Sequence, residues 1–64
     1  MSLSKLDWKE VEGVGCAMRT YGGGFVSALG KALLCADEHN QQRIKNGFPE
    51  YWEEYKKIWK KDLR

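Results

Sequence analysis

The chain has 64 residues, eleven Lys or Arg against nine Asp or Glu, a net charge of +2 and a pI near 8.6. A chain this short makes one domain, 1–64, and buries only about 60% of the surface its unfolded form exposes, which excludes a large self-sufficient core. Its weak basicity falls short of the pI above about 9 of a dedicated nucleic-acid binder, and no stretch reaches the roughly 18 apolar residues of a membrane span.

Three Trp, three Tyr and two Phe are a large aromatic content for so small an interior. Some of these rings are expected at the surface or against another subunit. Small folds gain stability by oligomerising, so a homo-oligomer is expected. Cys16 and Cys35 in a chain whose start, MSLSKLDWKE, has no apolar signal-peptide core predict reduced, buried thiols in a cytoplasmic protein.

In chain order, Asp7 is placed to N-cap a first helix, with Glu10 completing a capping box and Leu6 and Val11 forming a hydrophobic staple. Val11, Val14, Met18 and Tyr21 follow at helical spacing. Gly13 and Gly15 weaken this helix by about 1 kcal/mol each, or let a neighbour pack closely. Gly22 suits the C′ position, where a positive φ is wanted. A second helix starts near Gly24. On it Phe25, Leu29, Ala32 (or Leu33) and Ala36 form one apolar stripe, and Val26, Gly30 and Leu33 its neighbour. A helix apolar on most sides is central to a core or buried between subunits, and Ala28, Gly30, Ala32 and Ala36 would permit close approach. Asp37 predicts a bend and the cap of a short helix from Glu38 to Asn46, stopped by Gly47 and anchored by Ile44.

The last segment predicts a helix with Pro49 at N1. Glu50, Glu53 and Glu54 sit early and Lys60, Lys61 and Arg64 late, matching the helix dipole. Phe48, Tyr51, Trp52, Tyr55, Ile58 and Trp59 recur at spacings of three and four. Phe48, Tyr55 and Trp59 are expected inside. Tyr51 and Trp52 are adjacent and cannot both face one narrow core, so an interface role is weighed for at least one of them. With no alternating β pattern and no repeat, the chain reads as all-α: three to four short helices in a small bundle, completed by oligomerisation.

The stretch GFVSALGKA from Gly24 imitates a phosphate-binding loop but fails its pattern. Five residues rather than four separate Gly24 from Gly30, Ala32 replaces the magnesium-binding hydroxyl, and no strand precedes it. Cys35 and His39 stand four apart but lack an orienting group and an oxyanion site. The single His and the cysteine spacing fit no metal site. The chain is therefore expected to be non-enzymatic, without metal or cofactor. Arg19, Tyr21, Gly22, Gly23, Gly24 and Lys31 form a candidate ligand site, in which helix N–H groups meet a phosphate and a ring stacks a base. The competing reading is a tight turn between packed helices. Phe48, Tyr51, Trp52, Tyr55 and Trp59 form a candidate interface, since Tyr and Trp dominate binding hot spots. The cluster Lys56, Lys57, Lys60, Lys61 and Arg64 reads as a solvated helix face interrupted by Glu53, Glu54 and Asp62.

RTYGGGFVSAL, followed by the Ala36–Asp37 cap and the FPEYWEEY helix, resembles a group of small phage and prophage proteins over about Arg19 to Tyr55. The resemblance implies the cytoplasm of a bacterial host and carries no activity with it. A small accessory protein that binds a host component, by protein contact or by sequestering a small nucleotide signal at Gly22–Gly24, and thereby inhibits a defence pathway, is the expected role. A regulatory or nucleic-acid-associated protein using the Lys-rich helix is the alternative.

Overall fold

A computed structural model describes residues 7–62. They form four helices, α1 (Trp8–Tyr21), α2 (Gly24–Cys35), α3 (Glu38–Gly47) and α4 (Pro49–Asp62), with no strand among the described residues. The all-α bundle expected from the sequence is the fold.

Local chemistry sets most of the boundaries. The Asp7 carboxylate accepts the Lys9 N–H at 3.1 Å and starts α1. The capping box does not form, because Glu10 turns to α4. Leu6 of the expected staple lies outside the described residues, while Val11 is core. Asp37 accepts the Asn40 N–H at 2.9 Å and starts α3, giving the expected bend after Cys35. Helix α3 runs through Gly47 rather than stopping before it, and Phe48 is its C-cap. The Phe48 N–H donates to the Ile44 carbonyl at 2.9 Å, and the Phe48 carbonyl accepts the Trp52 N–H at 3.0 Å. One residue thus closes α3 and opens α4, with Pro49 at the first helical position.

Gly22 corrects a second expectation. Its φ is −79°, and no described glycine has a positive φ. Glycine is required there for space: a Cβ would lie 2.5 Å from the Met18 carbonyl oxygen and 2.7 Å from Val26 Cγ1. The same reason explains the α1–α2 contact, the most extensive in the bundle. A Cβ on Gly30 would lie 2.6 Å from Met18 Cβ and 2.7 Å from the Gly15 carbonyl oxygen, and one on Gly15 would meet Leu34. Helix α2 therefore returns along α1 backbone to backbone. Gly13 clears room for the Trp59 indole of α4.

The core comprises Val11, Val14, Ala17 and Met18 of α1, Val26 and Leu33 of α2, and Trp52 and Tyr55 of α4. Trp52, Met18, Leu33 and Val14 are its largest fully buried side chains. Tyr21, expected at the end of the α1 stripe, is 55% exposed. Helix α2 turns the Val26–Gly30–Leu33 stripe inward; of the other stripe Phe25 and Ala32 stay at the surface, Ala36 is half-buried and Leu29 is half-buried against the core. Of its small residues only Gly30 makes the close approach; Ala28 and Ala32 are exposed. Helix α3 buries no residue completely and rests on Ile44. Both cysteines are exposed, against expectation, because each falls on the outer face of its helix.

Candidate functional site

Fixing Phe48 between two helices places its ring on the surface beside α2. There Phe25, Phe48 and Tyr51 pack mutually, with ring centroids 5.8 Å apart for Phe25–Phe48, 6.1 Å for Phe25–Tyr51 and 6.0 Å for Phe48–Tyr51. Edge and offset contacts of this kind are favourable for aromatic rings. Phe25 stays 58% exposed, so the cluster presents a ring to solvent instead of closing over it.

Next to the cluster is an open groove of about 520 Å³ between α2, α3 and the start of α4. It is lined by Ala32, Cys35 and Ala36, by Asn40, Arg43 and Ile44, and by Phe48. Its walls are apolar except for the Asn40 amide and the Arg43 guanidinium, and no carboxylate lines it. The Asp37 carboxylate is turned onto the Asn40 N–H as a cap. Phe48 belongs to both groove and cluster, so the two make one continuous surface.

The five candidate interface rings divide. Trp52, 1% exposed, and Tyr55 are core residues, which removes them from an interface on the folded chain. Tyr51 and Trp59 are half-buried against that core, and Phe48 is half-buried against Phe25 and Tyr51. The adjacent pair expected to compete for one face does so: Trp52 goes in and Tyr51 stays at the rim. Trp52 carries its polar atom inward. Its indole Nε1–H donates to Glu10 Oε2 at 2.7 Å, Lys56 Nζ stands 3.6 Å from the same oxygen, and Lys45 Nζ lies 5.5 Å from the Trp52 ring centroid. Burial pushes the Glu10 carboxyl up, but the Trp52 hydrogen bond and the Lys56 and Lys45 charges outweigh it and hold the group below its ordinary value.

Of the candidate ligand residues, Arg19, Tyr21, Gly22, Gly23 and Gly24 lie around the α1–α2 turn, whereas Lys31 lies two turns along α2, about 10 Å from its start, and is not brought to them. Arg19, Gly23, Gly24 and Lys31 are exposed and Gly22 is half-buried. The Arg19 carbonyl accepts the Ser27 hydroxyl at 3.4 Å. Gly23 and Gly24 have nothing within 4 Å of where a Cβ would stand. Cys35 and His39 fall on different helices either side of the bend, both exposed, and the described residues hold no cluster of three or more metal-ligating side chains. On α4, Glu50, Glu53, Glu54, Lys57, Ile58 and Lys61 line a face of mixed charge. No helix among the described residues is long and apolar enough to cross a membrane.

Arg43, Ile44, Ala32 and the outward turn of Phe25 escaped the sequence reading as site features. The available signal was the pair of adjacent apolar stripes on α2, which is wider than one core-facing side needs. Compared with known proteins, the chain matches no family model, no curated sequence and no solved structure.

Proposed function

We propose that the chain is a non-enzymatic binding module whose aromatic surface, Phe25 with Phe48 and Tyr51, engages a partner protein. In the phage setting that the sequence resemblance implies, this is a small accessory protein of the host cytoplasm acting on a host component, with inhibition of a defence pathway as its role. The observation that carries the reading is the exposure of Phe25, 58%, as one of three mutually contacting rings in a fold that buries Trp52 completely. Exposed aromatic clusters joined to an apolar groove mark interaction surfaces.

A second reading, capture of a small nucleotide at the glycine turn, is favoured by Gly23 and Gly24. Neither has a positive φ and neither needs the missing Cβ for space; Gly23 has a structural part as the N-cap of α2, and Gly24 has none. The nucleic-acid alternative has less support, since Lys56 is tied to Glu10 and Lys57 and Lys61 share their face with glutamates.

One experiment separates these readings. Immobilised wild-type protein, Phe25→Ser and Arg19→Ala are each challenged with bacterial lysate and, by thermal shift, with cyclic and ADP-ribose-type nucleotides. Protein capture that is lost in Phe25→Ser and kept in Arg19→Ala is expected. Capture indifferent to Phe25→Ser removes the first reading, and a flat nucleotide screen removes the second.

A further inference from the structure

We infer that the groove between α2 and α3 is filled by a second copy of this chain, which inserts Trp8 against Ala32, Ala36, Ile44 and Phe48 and sets Glu12 on Arg43. The groove defines its occupant: an apolar side chain for the walls and a carboxylate for the one charged group that lines it. The chain itself carries that pair. Trp8 is 67% exposed, the most exposed large hydrophobic side chain among the described residues, and Lys9 Nζ lies 5.9 Å from its ring centroid. Glu12, one turn further along α1, is exposed, and residues four apart share a helix face.

Topology makes the exchange reciprocal. Because α2 returns along α1, with Gly15 against Gly30 and Leu34, the first turn of α1 and the last turn of α2 lie at the same end of the hairpin. Donor Trp8 and acceptor groove are therefore neighbours on one molecule. A two-fold axis at that end satisfies both copies at once, as a closed isologous dimer requires. The groove shares Phe48 with the Phe25 face, but its use by a second copy does not depend on the host-partner reading.

The test is the mass in solution, by sedimentation velocity across concentration, for the wild type, Trp8→Ser, Arg43→Glu, Glu12→Arg and the Glu12→Arg/Arg43→Glu double variant. All the changed side chains are exposed, so each variant is expected to keep its helical circular dichroism. The wild type is expected at twice the 7.4 kDa chain mass. Trp8→Ser is expected to weaken the dimer at least about 100-fold, since an anchor is lost in both copies. Each charge reversal is expected to weaken it about tenfold or more, and the double variant to recover to within a few-fold of wild type. Labelling of Cys35, which lines the groove, is expected to slow on dimerisation. A wild type monomeric up to about 1 mM, a dimer indifferent to Trp8→Ser, a double variant weaker than both singles, or species that grow without limit with concentration would each overturn the inference.

Discussion

Gly24 and Gly30 belong to one helix yet answer to different physics. Around Gly30 the nearest atoms to an added methyl are Met18 Cβ at 2.6 Å and backbone of Gly15 and Arg19, and backbone cannot rotate away. Gly30→Ala is expected to destabilise the fold by about 1–3 kcal/mol, the cost of forcing packed helices apart. Gly24→Ala meets nothing within 4 Å and removes freedom from the unfolded chain, so it is expected to stabilise by about 0.4–1 kcal/mol. Urea unfolding followed by far-ultraviolet circular dichroism measures both. Shifts of the same sign would show that close approach does not govern these positions. Their difference was not legible in the sequence, because a glycine shows only that a side chain is missing and not what stands in its place. Gly22 shows the same point: its position suited a positive φ, whereas the pressure on it comes from Met18 and Val26.

At the scale of the element, α3 is the weakest part of the bundle. It buries no residue completely, touches α2 and α4 only lightly and is held through Ile44, its Asp37 cap and the Phe48 joint. Segments with few buried contacts open at the lowest free energy. Asp37→Ala is expected to cost about 1 kcal/mol at this helix, which speeds amide exchange in α3 about fivefold and leaves α1 unchanged. Uniform acceleration across all helices would mean that α3 does not open alone. The helices themselves were readable from short-range chemistry: Asp7, Asp37 and Pro49 mark the starts that the structure shows. What was not readable was which of two adjacent stripes on α2 turns inward. Both are apolar, and the choice is made by Gly30, which only the neighbouring helix can reveal.

At the scale of the molecule, a polar tether crosses from α1 to α4. Glu10 and Trp52 are 42 positions apart in the chain and joined by a 2.7 Å hydrogen bond, with Lys56 beside them. Spacing within one helix cannot announce such a pair, so Glu10 read as half of a capping box. The tether has a signature in acid. Glu10 binds its proton less readily folded than unfolded, so its contribution is complete above the ordinary glutamate value of about 4.3. That contribution is lost as pH falls through the lowered folded value. Melting temperature measured against pH is expected to fall more steeply over this acid range in the wild type than in Glu10→Gln. Parallel curves would show that the carboxylate does not couple α1 to α4.

The joint at Phe48 sets where this chain can grow. A single amino acid ends one coil and begins the next, so there is no slack between them, and an inserted residue must break one of the two bonds that Phe48 makes. Gly23 is exposed, a side chain added there meets nothing within 4 Å, and its one bond, from the Ser27 N–H to its carbonyl, lies on the α2 side, so length added before it costs little entropy. Peptide tags, reporter sequences or loop extensions therefore belong just before Gly23, while Phe48 is the place where lengthening would pull the molecule apart.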